Sequence, residues 1–345
     1  MDAHKLVAYL VLAPLWAACG PDSTTGDSIL LDIPDGDSEP DDSDALTPDD
    51  ELDLESLATW GRSSGFGGEG HGLDEFSYPA GIALSPDESE LYVFDSNNNR
   101  IKAMTRDGLV LRTWNHHPAS TCGDFGSGIA VTPDGTIYVA NNRLHGVDGY
   151  APDGSLRFQW KFVGAESFCR YVGHGHDLVV NDEGNIAVTE PGLGQVQVYT
   201  PSGDFIFAFG STGEGKGQFH WGGAGIAFRD GQYVVSDNDQ VLLFDRAGIF
   251  LREIAPLPGD TFVGVSTFTQ AWRGWLFLAA SDTPATIYAM APGGSLLKYR
   301  WQASGGNFPG QLNSPYDVAI DSTGRWFMTE LYNHRVQVFQ GPKPH

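Results

Sequence analysis

Two histidines stand close together in the sequence Gly173-His174-Gly175-His176. Imidazole groups bind zinc and transfer protons near neutral pH, so this segment is the first candidate for chemistry in the chain. The interpretation we favour is that neighbouring polar groups satisfy both imidazoles. The alternative is a metal-binding or proton-transfer role for His176, with Glu190 or Tyr316 as an assisting group.

Six polar side chains end successive apolar runs of the sequence. These are Asp95, Asn141, Glu190, Asp237, Asp282 and Glu330. A ring of carboxylates could collect a metal ion, but the same residue type recurs in nearly every copy and each copy precedes a turn. Arg100 and Arg335 follow the first and the last by five residues. We therefore predict that these carboxylates bond turn N–H groups and arginines within the fold.

The elements that carry these residues belong to a repeat of about 47 residues. Its clearest copies start at positions 81, 128, 177, 225 and 317, which lie 47, 49, 48 and 92 residues apart. The last interval hides one more copy, which is recovered from its apolar run at residues 275–280. Six units therefore fill the chain from about residue 56 to residue 340.

Tight turns divide each unit into four short strands. Pro133-Asp134-Gly135 is typical of a turn between strands one and two, and Pro152-Asp153-Gly154 of a turn between strands three and four. The 44 glycines and the scarcity of helical patterns also favour an all-β protein. Six units of four antiparallel strands predict a six-bladed β-propeller.

The two ends of the repeat region complement each other. Fourth strands end in an aromatic residue, as in residues 111–114 and 157–160, but the last unit stops after its third strand at residues 336–339. Residues 57–60, which precede the first unit, have the fourth-strand pattern and end in Trp60. We predict that this N-terminal strand completes the last blade.

Two segments of the chain resemble NHL repeats: Asn98-Asn99-Arg100-Ile101 and Tyr332-Asn333-His334-Arg335. The resemblance covers about 285 residues and implies a six-bladed NHL/TolB-like propeller over residues 56–341. A more distant resemblance is to the peptidyl-α-hydroxyglycine α-amidating lyase, also called peptidylamidoglycolate lyase. That family binds zinc through three histidines from separate blades. His176 matches one of them, whereas other blades carry Ala80, Ser127, Ala224 and Tyr316 at the corresponding positions.

The N-terminal segment has the features of an export signal. Lys5 precedes an apolar run at residues 6–16, which Ala17-Ala18-Cys19 follows. This ending resembles the lipobox of bacterial lipoproteins, which implies a signal peptide over residues 1–19 and lipidation of Cys19. A plain secretory peptide is the alternative. We expect a location in a bacterial cell envelope, on the outer membrane or the periplasmic side, with the cell surface as a further alternative.

Acidic residues are concentrated just after this signal. Between Gly20 and Ser56 there are fourteen Asp or Glu and no Lys or Arg, which accounts for much of the net charge of −24. Because such a segment buries little apolar surface and its charges repel, we predict a disordered acidic linker over residues 20–55. Residues 342–345 form a short tail. An acidic propeller in an exported protein excludes nucleic acid as a partner.

The loops that lead into strand one and the turns between strands two and three should share one face of the propeller, called here the loop face. Its candidate ligand-binding residues are Tyr78, Arg170, His174, His176, His220, Trp221 and Tyr316. They predict a non-enzymatic scaffold that binds a peptide, protein or glycan, anchored to the membrane through its N-terminal lipid, and acting as a monomer. The alternative is a metal-assisted lyase or hydrolase that uses the histidines at the channel.

Two cysteines lie in the same kind of loop of adjacent units. Cys122 and Cys169 both precede a first strand, so an oxidising compartment would allow a disulfide between them. Two separate thiols are the alternative. We expect no cofactor for the scaffold, and zinc or calcium for its enzymatic alternative.

Overall fold

A computed structural model describes residues 54–61, 68–116, 128–142, 144–164, 177–257, 261–262, 269–280, 285–294, 297 and 299–341, without the side chains of Thr269 and Tyr299. Several predicted sites therefore lie outside the described residues: Cys19, Cys122, Cys169, Arg170, His174 and His176, together with the signal segment, nearly all of the acidic linker, and the tail. Their roles stay predictions. Among the described residues, no helix is long and apolar enough to cross a membrane.

The described residues form six four-stranded antiparallel sheets, which are the blades of a β-propeller. The first strand of the chain, β1 (Glu55–Trp60), belongs to the last blade. Blade 1 contains β2 (Pro79–Leu84), β3 (Glu90–Asp95), β4 (Arg100–Thr105) and β5 (Val110–Asn115). A 3-10 turn, Ser96–Asn98, joins β3 to β4. Blade 2 contains β6 (Ile129–Val131), β7 (Ile137–Asn141), β8 (Gly146–Tyr150) and β9 (Leu156–Lys161).

The remaining blades follow in chain order. Blade 3 contains β10 (Leu178–Val180), β11 (Ile186–Glu190), β12 (Gln195–Tyr199) and β13 (Phe205–Phe209). Blade 4 contains β14 (Gly225–Arg229), β15 (Gln232–Asp237), β16 (Gln240–Asp245) and β17 (Phe250–Glu253). Blade 5 contains β18 (Thr269–Trp272), β19 (Trp275–Ala280), β20 (Ala285–Met290) and β21 (Tyr299–Ala303). Blade 6 contains β22 (Pro315–Ile320), β23 (Arg325–Glu330), β24 (Arg335–Gln340) and β1.

The first and last strands of the chain pair with each other, as the sequence predicted. β1 runs antiparallel to β24, with Ser56 opposite Phe339 and Trp60 opposite Val336. Leu54, just before this strand, packs into the apolar core. The prediction of a fold closed by its N-terminal strand is confirmed, and the folded region begins with residues that the sequence analysis assigned to the linker.

The core consists of six apolar layers, one between each pair of neighbouring blades. In the layer between blades 6 and 1, Phe327 and Val336 pack with Ile82 and Val93. The middle strands of each blade supply most of these side chains, because both of their faces are covered. The outermost strands alternate instead, as the burial pattern of β5 shows, and this suits a strand with one face in water.

Aromatic residues of the outermost strands pack on glycines of the next blade. A Cβ added to Gly154 of blade 2 would lie 2.7 Å from the ring of Trp114 of blade 1, and one at Gly203 of blade 3 would lie 2.4 Å from Trp160. Both glycines have positive φ angles, at 88° and 91°. The aromatic end of each of these strands thus needs a glycine turn beside it, which explains why both features recur together in the sequence.

Candidate functional site

The innermost strands of the blades enclose a cavity of about 320 Å³ along the central channel. Its lining side chains are apolar except for those of Gln270 and two carboxyl groups, Asp177 and Asp317. These two aspartates stand at the start of the inner strands of blades 3 and 6. Because two blades lie between them on either side in a ring of six, they face each other across the channel.

Both aspartates connect neighbouring blades by the same hydrogen bonds. One oxygen of Asp177 accepts the N–H of Leu178 in its own strand at 2.8 Å, and the other accepts the N–H of Ile226 in blade 4 at 2.8 Å. Asp317 accepts the N–H of Val318 at 2.7 Å and that of Ile82 in blade 1 at 2.8 Å. Each carboxyl group therefore stabilises a junction between two blades.

Two threonines strengthen the same two junctions. The hydroxyl of Thr329 donates to the carbonyl of Ala80 at 2.6 Å and accepts the N–H of Asp317 at 3.1 Å. Thr189 makes the equivalent contacts in blade 3, donating to Ala224 at 3.3 Å and accepting from Asp177 at 2.8 Å. The junctions between blades 3 and 4 and between blades 6 and 1 are thus built alike.

Burial in the channel raises the pKa of Asp177. The pKa of Asp317 is raised well above that of an ordinary carboxyl group, mainly by burial and secondly by repulsion from Asp177. Tyr316 lies beside this pair. Its pKa is raised by burial and then by the two nearby carboxylates, so its hydroxyl stays protonated. Together these groups could hold or release a proton inside the channel, which is an arrangement that acid–base chemistry can use.

Among the described residues, the carboxylates at the ends of the second strands have the structural role that the sequence predicted, whereas Asp282 lies outside the described residues. Three of them accept a backbone N–H from the loop into the inner strand of their own blade: Ser77 to Asp95 at 2.7 Å, His220 to Asp237 at 2.5 Å, and Asn313 to Glu330 at 2.8 Å. Arg100 Nε lies 2.7 Å from Asp95, and Arg335 bonds Glu330 with both side chains fully buried. A metal-collecting ring is therefore not needed to explain these residues.

Glu190 and Tyr316 are less accessible than a binding role suggests. One oxygen of Glu190 accepts the N–H of Gly192 at 3.0 Å, which fixes the turn after its strand, and the residue is buried. Tyr316 is half-buried and packs against the apolar layer between blades 1 and 2. Their predicted partner, His176, lies outside the described residues, so the model does not bring the three groups together.

Tyr78 belongs to an aromatic cluster at the junction of blades 6 and 1. Its ring meets His334 edge-on with centroids 4.5 Å apart, and Tyr332 at 6.1 Å. The backbone N–H of Tyr78 donates to Nδ1 of His334 at 3.1 Å, so the proton of this imidazole sits on Nε2. Tyr78 has a φ of 52°, a left-handed conformation that is uncommon outside glycine and asparagine. Tyr332 leaves 60% of its surface exposed.

Trp221 occupies the corresponding place at the junction of blades 3 and 4. Its indole is 54% exposed, while its backbone N–H donates to Asp237 at 3.1 Å. The neighbouring His220 places Nδ1 3.0 Å from Asp239, and this hydrogen bond raises the pKa of the imidazole. Leu193, from the turn of blade 3, is 37% exposed on the same side. Two aromatic surfaces therefore stand on opposite sides of the loop face.

Sequence reasoning selected Tyr78, His220 and Trp221 but missed Asp177, Asp317 and Tyr332. A signal for the aspartates was present, because blades 1, 2 and 4 carry Gly81, Gly128 and Gly225 at the same position of the repeat. A carboxyl group in place of glycine is a departure from the repeat. Asp177 and Asp317 face each other only because the ring closes, and the repeat pattern alone does not reveal that they do.

Three comparisons with known proteins bear on this site. Residues 71–177, which span blades 1 and 2, match the family model described as the SMP-30/gluconolactonase/LRE-like region. A gluconolactonase from Xanthomonas campestris is 16% identical with a TM-score of 0.54, over 84% of this chain and 99% of that one. A catalytically inactive virginiamycin B lyase from Staphylococcus aureus, solved with quinupristin, is 13% identical with a TM-score of 0.54 and the same coverages. No curated protein is similar enough to count as a match.

The chain shares the fold of these proteins. At such low identity the likeness establishes the β-propeller and no activity, and the family model covers less than half of the chain. The matched family is not the NHL family, so the NHL resemblance and the resemblance to the peptide-amidation lyase are not confirmed. Within the described residues, no three His, Cys, Asp or Glu side chains are placed to share a metal ion.

Proposed function

We propose that the chain is an exported, lipid-anchored β-propeller that binds a peptide, protein or glycan segment on its loop face. The observation that carries the proposal is the pair of exposed aromatic rings, Trp221 and Tyr332, at opposite blade junctions. Aromatic side chains are enriched where proteins bind partners, since they bury much area while losing little rotational freedom.

The backbone beneath these rings is held in place before any ligand arrives. Asp237 accepts N–H groups from His220, Trp221 and Gly223 at 2.5 to 3.2 Å. Tyr78, on the other side, is held by His334. A surface that needs no reordering loses less entropy on binding, which favours a recognition role for this face.

The test is a binding screen of the folded chain against peptide and glycan arrays. We expect ligands whose binding falls at least tenfold in Trp221→Ala or Tyr332→Ala. Matched controls are Leu109→Ala and Ile249→Ala, because these side chains are 66% and 63% exposed but lie in turns on the opposite face. Binding that the controls reduce equally, or arrays without any ligand, would overturn the proposal.

The lipid anchor has a separate test. Wild-type protein and Cys19→Ser would be expressed in a bacterial host with an alkyne-tagged fatty acid. Label and membrane association that depend on Cys19 support the anchor. Unlabelled wild-type protein in the soluble periplasmic fraction identifies a plain secretory peptide instead.

A lyase or hydrolase is the second candidate, and the acidic pair in the channel favours it. Asp177 and Asp317 have raised pKa values beside Tyr316, and the structural relatives include a lyase and a gluconolactonase. The described residues do not offer a zinc site, so no step is assigned to a metal. Turnover of glucono-δ-lactone followed by pH-stat, and abolished by Asp177→Asn, would support this candidate. Rates equal to the buffer blank would eliminate lactonase activity.

A further inference from the structure

The loop face carries an ordered carboxylate beside the Tyr78, Tyr332 and His334 cluster. One oxygen of Glu69 accepts the hydroxyl of Ser77 at 2.8 Å and the side-chain N–H of Asn97 at 3.0 Å. These hydrogen bonds, that of Ser77 first, lower the pKa of Glu69, so the group is ionised at neutral pH. Because Ser77 immediately precedes Tyr78, the bonds fix a negative charge next to the aromatic cluster.

The imidazole in this cluster is a neutral ring. Nδ1 of His334 accepts the N–H of Tyr78, and burial lowers the pKa of the imidazole. The guanidinium of Arg100 is also committed, because it bonds Asp95 and the carbonyls of Gly72 and Glu75. The cluster therefore presents aromatic rings and one carboxylate to solvent. Neither His334 nor Arg100 neutralises the negative charge of Glu69.

We infer that this corner, formed by Glu69, Tyr78, Tyr332 and His334, binds an organic cation: the ammonium or guanidinium group of a peptide side chain. The negative faces of aromatic rings attract such cations, and an adjacent carboxylate adds a direct charge interaction. The inference rests on the proposed function and names the ligand chemistry of one part of the loop face.

The opposite aromatic surface lacks this character. Trp221 adjoins His220, whose Nδ1 lies 3.0 Å from Asp239, and this hydrogen bond raises the pKa of the imidazole. The carboxylate beside Trp221 is thus already paired with a basic side chain, which weakens its attraction for a cationic ligand. Trp221 is thus an exposed aromatic on the same face that should not select for positive charge.

The test compares two small probes by saturation-transfer NMR with the full chain. Nα-acetyl-lysine amide carries the cation, and Nα-acetyl-norleucine amide has nearly the same shape without it. We expect binding of the lysine probe that weakens with added salt and is at least fivefold tighter than that of the neutral probe. We expect Tyr332→Ala and Glu69→Gln each to weaken the lysine probe about three- to fivefold. Tyr332→Phe, which keeps the ring, should retain the affinity.

Glu214→Gln is the control, because Glu214 is an exposed glutamate of the same face. Equal binding of both probes, or an equal loss in the control variant, would overturn the inference. Thermal unfolding of each variant separates lost binding from lost folding. If array ligands depend on Trp221 while the lysine probe shows no preference, the proposed function stands and the cation site fails.

Discussion

The indole of Trp60 lies directly on the glycine turn at Gly108, so that a Cβ added to Gly108 would come within 2.6 Å of Nε1. Trp60 ends the outermost strand of blade 6, and Gly108 belongs to blade 1. The contact repeats the packing of Trp114 on Gly154 and of Trp160 on Gly203. The junction that closes the ring is therefore built like the junctions within the chain.

Replacing Gly108 by alanine should destabilise the ring at its closure. The φ of 88° already strains an L residue, and the new methyl group would overlap the indole of Trp60. We expect the free energy of unfolding to fall by about 2–4 kcal/mol in urea titrations. Gly184→Ala is the matched control, because Gly184 has a φ of 81° but no atom within 4 Å of the added Cβ. Equal losses in both variants would show that Trp60 does not matter to this turn.

Removing the indole itself should also weaken closure. Trp60 packs on the layer between blades 6 and 1, with its ring centroid 5.7 Å from that of Phe327. We expect Trp60→Ala to lower the free energy of unfolding by about 2–4 kcal/mol, since the cavity cannot collapse in a closed ring. Leu57→Ala, on the same strand but 48% exposed, should change it by less than about 0.5 kcal/mol. An unchanged melting temperature for Trp60→Ala would contradict a closing role for β1.

The acidic pair in the channel predicts a distinctive pH dependence. Because burial raises the pKa of Asp177 and Asp317, the folded state holds these protons more tightly than the unfolded chain, whose aspartates titrate near about 3.9. Raising the pH from about 4 towards the folded pKa therefore removes stability, by up to about 1.4 kcal/mol per pH unit and group. Above the folded pKa the loss is complete.

The double variant Asp177→Asn/Asp317→Asn removes this titration. Measured relative to wild type, its free energy of unfolding should rise with pH above about 4 and then level off. Urea unfolding between pH 4.5 and pH 8 measures the difference. Asp107→Asn, with a side chain that is 92% exposed, is the control. A double-variant difference that stays flat or falls across this range would show that folding does not raise the pKa values of the pair.

The loop that carries Trp221 should depend on one buried carboxylate. Asp237 is fully buried and accepts three backbone N–H groups of residues 220–223. We expect Asp237→Ala to cost about 2–4 kcal/mol and to increase amide hydrogen exchange in that loop. Asp239→Ala, which removes only the contact with the His220 ring, should leave exchange of those amides nearly unchanged. Unaltered exchange in Asp237→Ala would mean that other contacts hold the loop.

Most of the fold was predictable because every blade must satisfy the same packing. The 47-residue spacing, the glycine turns and the strand ending in Trp60 each report a local requirement, and ring closure follows from them. The candidate site was less predictable. Asp177 meets Asp317, and Tyr78 meets His334, only after the ring has closed. The departures from the repeat that mark these residues are visible in the sequence, but their partners are not.

The direction of β1 determines how a tether would pull on the molecule. Glu55 pairs with Gln340, at the end of β24 far from the loop face, whereas Trp60 pairs with Val336 near it. A lipid on Cys19 would thus apply tension at Leu54, along the strand axis and across all of its ladder bonds at once. Such loading shears the strand instead of peeling it bond by bond. The seam that completes the ring would then resist mechanical force applied at Leu54.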